Sequence, residues 1–280
     1  MLTANWPAPQ NCSVQEEIDL PLEAMIDHRA IIHPTARIGA NVQIGPWTMI
    51  GPHVEIGEGT WIGPHVVING PTKIGQHNKI FQFSSIGEAP QDKKFNGEHT
   101  YLEIGDRNVI REFCTFNRGT AQDKAYTKIG HDNLFMAYVH IAHDCEVGNH
   151  TIFANNASLA GHVKVEDYAI LSGFAGVFQF CRVGTHSFAA MGAMIEKDVP
   201  PFVKVSGYYA KPYGLNTIGL KRRGFSLEAL VQIRRAYKTI YRKGLTIKAA
   251  LAELKVMAQT CPEILVLIDF IQTSQRGLVR

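Results

Sequence analysis

The sequence predicts a parallel β-helix built from hexapeptide repeats and closed by a short α-helical C-terminal domain. Three observations carry this: an aliphatic residue at every sixth position, two polar segments that interrupt the period, and a change to helical spacing after Pro200-Pro201. Isoleucine recurs eleven times in succession from Ile26 to Ile86. Glycine usually follows it, as at Gly39, Gly45 and Gly51, and a small or β-branched residue sits four places on, as at Val42, Thr48 and Val54. The register resumes at Ile104, Ile110 and Phe116, and again from Ile129 through Phe135, Ile141, Phe153 and Val177 to Ile195. Neither the helical period of 3.6 nor simple alternation gives six. Six suits a triangular coil in which each hexad supplies a short strand and a turn, with the aliphatic residue inside. Gly or Asn is expected at the awkward turn position. Each coil buries its core only against its neighbours, so many coils are required.

The interruptions fall near 88–103 and 117–128 and are expected as loops expelled from the coil. The first, EAPQDKKFNGEHTYLE, reads as an active-site wall, because solenoids carry function on loops grafted to a rigid face. Cys114, Cys145 and Cys181 each fall four residues after an aliphatic position and read as small structural residues. Beyond residue 200, Ser226 can cap a helix starting at Leu227, with Leu230, Ile233, Tyr237 and Ile240 as its apolar stripe. Further helices are expected over 247–258 and 263–273. The predicted organisation is an N-terminal extension over 1–24, the coil over 25–200 and the helical domain over 201–280.

Composition bounds the function. In 280 residues, 45% are hydrophobic and 19% charged, as in an ordinary soluble protein, and a net charge of +3 gives no reason to expect nucleic acid. No apolar run approaches bilayer length. Glu16, Glu17 and Asp19 interrupt the N-terminus, which does not read as a secretion signal. Five scattered cysteines without a CxxC pair favour a cytoplasmic setting.

Chemistry concentrates in HIAHDC, which holds His140, His143 and Asp144, with Gly161-His162 nearly one coil later. In a coil of eighteen residues, positions 143, 161 and 179 stack on one face, so His143, Gly161 and Gln179 form a vertical column. A histidine beside a carboxylate offers a general base near neutral pH, and a glycine offers an unobstructed N–H to an oxyanion. Three histidines on such a coil also fit a zinc site, which keeps a zinc carbonic anhydrase open as a different class of function.

Several segments together resemble the family of acyl carrier protein–UDP-N-acetylglucosamine O-acyltransferases, which open lipid A (lipopolysaccharide) synthesis in the cytoplasm. They are MIDHRAIIHPTA, NGPTKIG, QFSSIGEAPQDKK, IGDRNVIREFCTFNRGT, HIAHDCEVGN, ANNASLAGHV, DVPPF and GLKRRGFS. The resemblance implies a left-handed coil, a homotrimer with active sites between subunits, and no cofactor beyond the phosphopantetheine thioester of the donor. It implies His143 as the base on the sugar 3-hydroxyl, Asp144 as its support and Gly161 as the oxyanion donor. It places His140 and His162 at the acceptor sugar, Gln91, Asp92 and Lys94 along the sugar and acyl pocket, and Asn216 and Arg222 near the nucleotide, with Gln179 also among the substrate-binding residues. The chain departs from the family pattern at Phe178, Tyr209 and Ile218, which leaves acylation of a different nucleotide sugar, such as a 3-amino sugar, as an alternative.

Met191 occupies the position that resembles the family's acyl-length ruler. It lies 48 residues beyond His143, or about 2.7 coils. At roughly 4.8 Å per coil that is about 13 Å along the axis. After a contact distance of about 4 Å, roughly 9–10 Å remains. A ten-carbon chain needs roughly 11 Å and a fourteen-carbon chain roughly 16 Å, so a 3-hydroxydecanoyl-like donor is expected. The basic run over 221–243, with Arg234 and Lys238 on one helix face, reads as a dock for the acidic carrier protein.

Overall fold

The computed structural model describes residues 25–280; the extension expected over 1–24 lies outside the described residues. Among the described residues three sheets of nine, eight and ten strands, parallel except for the last strand of the ten, form the faces of a triangular prism. Most strands are two residues long, because six residues must supply both a strand and a corner. Registers advance by one coil, Ile31 opposite Met49 and His140 opposite Ser158, so like positions stack. The period lengthens only at the insertions, where Ser85 pairs with Thr115 and Thr115 with His140.

The aliphatic column is the core. Ile62, Ile68, Ile80, Ile110, Phe135 and Phe153 are fully buried and belong to one continuous cluster. Each such side chain contributes about 1.5–3 kcal/mol, and the coils above and below supply nearly all of that contact. The small residue just after each corner faces inward and ties coils together. Thr48 Oγ1 donates to the Gly63 carbonyl at 2.7 Å, and Asn78, Asn108 and Asn133 form a buried amide ladder with steps of 3.0 and 2.9 Å. The three cysteines expected there are buried, and burial raises the thiols of Cys114 and Cys145 to about 12 and that of Cys181 to about 11.

Three expectations need correction. The left-handed corner position is filled mainly by large side chains, not by Gly or Asn: Trp47, His65, Phe83, Phe113 and Tyr138 all have positive φ. Their rings stack at 4.8–5.3 Å up one edge, contact that offsets the backbone cost of that conformation. The glycine after each isoleucine serves close approach instead, since a Cβ on Gly57 would lie 2.5 Å from the Gly75 carbonyl carbon in the next coil. The loops are also shorter than expected. Tyr101–Ile104 and Tyr126–Ile129 are paired strands, which leaves 89–100 and 118–125 outside the ladder. Finally, stacking continues past Pro200-Pro201: Val203–Ser206 lies parallel on Phe188–Ala189, and Lys211–Leu215 folds back on it antiparallel.

Four helices follow: α1 Thr217–Arg222, α2 Leu227–Tyr241, α3 Ile247–Met257 and α4 Ile264–Thr273. The last three match the sequence expectation to within a residue or two, and α1 was not anticipated. Ser226 caps α2 by accepting from the Ala229 N–H at 3.1 Å. Leu230, Ile233 and Ile240 pack with Leu254, Ile264 and Leu267 in a second core. Arg234 and Lys238 remain exposed.

Candidate active site

His143 and Asp144 sit at the corner between the nine-stranded and eight-stranded faces, held by the flanking strands His140–Ile141 and Glu146–Val147. Asp144 has φ +58, which turns its side chain back beside His143. Although adjacent residues on a regular strand diverge, here Asp144 Oδ2 accepts from His143 Nδ1 at 2.8 Å. Asp144 is fully buried and also accepts from the Thr120 N–H at 3.0 and 3.1 Å and from the Thr120 hydroxyl at 2.7 Å. Its own N–H donates to Thr127 Oγ1 at 2.8 Å.

Burial alone would raise the Asp144 carboxyl, but the hydrogen bonds from His143 and Thr120 outweigh it and hold the group below its ordinary value. An ionised carboxylate only accepts. Nδ1 of His143 therefore carries the proton and Nε2 presents a free lone pair. That nitrogen lies against Gly161, where an added Cβ would stand 2.7 Å from it. Among the described residues the Gly161 N–H has no hydrogen-bond acceptor. The corner thus presents a lone pair and an open N–H side by side.

His162, next to Gly161, stacks on Phe180 at 4.4 Å and meets the His143 ring edge-on at 5.0 Å. Its Nδ1 donates to Asp123 Oδ2 at 2.7 Å. His140 faces the same region from its strand, bonded to Thr115 Oγ1 at 2.7 Å; burial lowers its imidazole, partly countered by the Thr115 contact. Ligand atoms of His143, Asp144 and His162 lie within 4.8 Å of one another. The carboxylate, however, already receives three donors and each imidazole turns Nδ1 to an acid, an arrangement of hydrogen-bonded pairs rather than converging metal ligands.

Two clefts flank this corner. A mixed polar cleft of about 850 Å³ includes Asp92 and Lys94 from the first loop, Thr120 and Asp123 from the second, and His162. Gln91 is exposed in the same loop but does not line that cleft. A more apolar cleft of about 700 Å³ runs over the nine-stranded face past His140, Leu159, Val177, Gln179 and Met194. Phe178 lines it, and its ring meets Tyr209 at 6.3 Å, so two of the three departures from the family pattern touch one another.

Not every expected residue joins. Met191 stands at the opposite edge of the nine-stranded face, 74% exposed, and does not line the apolar cleft. Asn216 is buried as the cap of α1, accepting from the Gly219 N–H at 3.2 Å and donating to the His186 carbonyl at 3.1 Å, which puts it at a third corner. Arg222 is exposed at the end of α1, and Ile218 is exposed on the same helix. Within one chain neither Asn216 nor Met191 reaches the His143 corner. Sequence reasoning did not single out Thr120, Thr127 or Asp123. Thr120 and Asp123 come from the expelled loop, where no period assigns a direction and only its RGT marked the neighbourhood, whereas Thr127 lies on the strand that follows, paired with Leu102.

A β-helix with a histidine–carboxylate pair and an open backbone N–H at a coil corner defines a hexapeptide-repeat transferase, and residues 126–161 match the family described as bacterial transferase hexapeptide (six repeats). Residues 198–279 match domain 2 of the UDP N-acetylglucosamine O-acyltransferases. Acyl-[acyl-carrier-protein]–UDP-N-acetylglucosamine O-acyltransferases from Thiobacillus denitrificans and Pseudomonas syringae pv. syringae are 62% and 61% identical over 257 residues, 92% of this chain and 100% of theirs. The solved UDP-N-acetylglucosamine O-acyltransferase of Moraxella catarrhalis superposes with a TM-score of 0.90 at 47% identity, over 91% of this chain and 100% of that one. The Francisella novicida enzyme gives 0.88 at 44%, over 91% and 94%. The chain belongs to the acyl-[acyl-carrier-protein]–UDP-N-acetylglucosamine O-acyltransferase family and is an acyltransferase. That membership sets the zinc carbonic anhydrase aside.

Proposed function

We propose that the protein transfers a 3-hydroxyacyl chain from acyl carrier protein to the 3-hydroxyl of UDP-N-acetylglucosamine, the first acylation of lipid A synthesis, in the cytoplasm and without a cofactor of its own. The observation that carries the mechanism is the His143 Nε2 lone pair beside the unengaged Gly161 N–H. His143 takes the hydroxyl proton as the sugar oxygen attacks the thioester carbonyl. The Gly161 N–H donates to the resulting oxyanion, and Asp144 stabilises the imidazolium. Collapse breaks the C–S bond, and the imidazolium returns its proton to the departing thiolate. His140, His162 and Gln179 surround the sugar, Asp92 and Lys94 line its polar wall with Gln91 nearby in the loop, and the apolar cleft takes the acyl chain.

A homotrimer accounts for the residues that one chain leaves apart. Met191, Asn216 and Arg222 reach the site from neighbouring subunits, and the exposed ring stack of Trp47, Phe83, Phe113 and Tyr138 is apolar surface suited to a subunit contact. The preferred donor is 3-hydroxydecanoyl-like, with Met191 as the stop. The test is acyl transfer to UDP-N-acetylglucosamine from carrier-protein thioesters of graded length. No transfer from any of them refutes the reading. Faster transfer to the 3-amino sugar nucleotide favours the alternative acceptor, for which the paired Phe178 and Tyr209 rings are the supporting observation.

A further inference from the structure

The second insertion brings a carboxylate to the corner that the hexads do not supply. Asp123 lies in the loop between Thr115–Asn117 and Tyr126–Ile129, and its Oδ2 accepts from His162 Nδ1 at 2.7 Å across 39 residues of sequence. The loop is tied down on both sides. Thr120, three residues earlier, is buried against Asp144, and the Gln122 side chain donates to the Lys94 carbonyl of the first loop at 3.4 Å. The His162 ring is held on three sides, flat against Phe180, edge-on to His143 and hydrogen-bonded to Asp123. His162 and Asp123 both line the polar cleft. The corner therefore holds two histidine–carboxylate pairs. The first is almost enclosed, with side chains 10% and 0% exposed; the second is more open, at 15% and 34%.

We propose that Asp123 is a positioning residue for the acceptor sugar, acting through His162. A carboxylate at Nδ1 requires the proton there and leaves Nε2 as an acceptor. Phe180 and Asp123 together fix the plane in which that lone pair points. A hydroxyl or amide N–H of the sugar can then donate to His162, whereas the opposite tautomer would present a second donor and repel those groups. Such a preset acceptor discriminates against ligands that lack a donor, because it leaves its lone pair unmet. The inference rests on the acyltransfer reading given above for what fills the cleft, but the ring geometry stands by itself.

Ring nitrogen-15 shifts of His162, recorded on the intact histidine-labelled protein and assigned by their loss in His162→Gln, report the tautomer without any substrate. The expected result is Nδ1–H in the wild type and in Asp123→Asn, whose amide oxygen still accepts, and Nε2–H in Asp123→Ala. In kinetics, Asp123→Ala should raise KM for UDP-N-acetylglucosamine roughly tenfold, the scale of one lost hydrogen bond. KM for the acyl donor should stay unchanged, and the loss in Asp123→Asn should be smaller. Nε2–H in the wild type overturns the proposal. So does Asp123→Ala with an unaltered tautomer or an unaltered sugar KM, even if its melting temperature falls, since that pattern marks a loop anchor. Failure of the wild type to acylate UDP-N-acetylglucosamine would sink the acyltransfer reading instead, while the nitrogen shifts would still decide the tautomer.

Discussion

Gly161→Ala tests the catalytic corner with one methyl group. The backbone at Gly161 is not in the left-handed region, so alanine introduces no strain of that kind. The new Cβ would lie 2.5 Å from Cε1 and 2.7 Å from Nε2 of His143, whereas ordinary contact begins at 3.4 Å. The ring must retreat by about 0.9 Å, and in doing so it must stretch or break the 2.8 Å bond from Nδ1 to Asp144. Misplacement of a reacting group by about 1 Å costs on the order of a hundredfold in rate. The Gly161 N–H survives the substitution, so the loss reports displacement of the base rather than removal of the oxyanion donor. Steady-state transfer at saturating substrates should show kcat reduced roughly a hundredfold, with a melting temperature close to wild type because coil stacking through the Phe180 N–H to Gly161 carbonyl bond is untouched. If kcat stays within about threefold of wild type, Nε2 of His143 is not the proton acceptor and the mechanism fails.

Other outcomes follow from the same geometry. His143→Ala should fold and lose several orders of magnitude in kcat, checked by circular dichroism alongside turnover; activity near wild type refutes the base. Charge reversal at the exposed Arg234 and Lys238 should raise KM for the carrier-linked donor, with a salt-dependent difference, while sparing a small pantetheine thioester; equal losses with both donors argue against docking on α2. Met191→Gly should shift the donor profile towards longer chains, and an unchanged profile removes Met191 as the ruler. Burial lowers His186 to about 4 from its ordinary 6.5, with Arg223 adding to the effect and Asp167 opposing it. Because the folded value is the lower, the unfolded chain takes up the proton first. Stability is therefore full above about 6.5 and declines as pH falls towards about 4, where it levels for this group. His186→Phe, which can keep the stack on Tyr168, should flatten thermal melts across that window, and an identical slope would assign the acid limb to other groups.

How much the sequence disclosed depends on whether a residue lies inside the repeat. The six-residue period determined which side chains face inward, because every hexad folds alike and buried positions must stack. It also determined the column of His143, Gly161 and Gln179, since eighteen residues return the chain to the same corner. The Ser226 cap and apolar stripe of α2, and the spans of α3 and α4, were legible for a similar reason: local periodicity and a capping hydroxyl act within a few residues. Tertiary structure alone decided the rest. The period says nothing about where an expelled loop lands, so Thr120 against Asp144 and Asp123 against His162 appear only once the insertions have packed on the corner. It also fixes height better than reach. Met191 lies two coils and two hexads beyond His143 with no insertion between them, but the remainder beyond two full coils carries it two faces around to another edge, away from the His143 corner. Aromatic rings at the corners replaced the glycines that backbone preference alone favours, because stacking on the coils above and below is a many-body contact that no single residue's propensity contains.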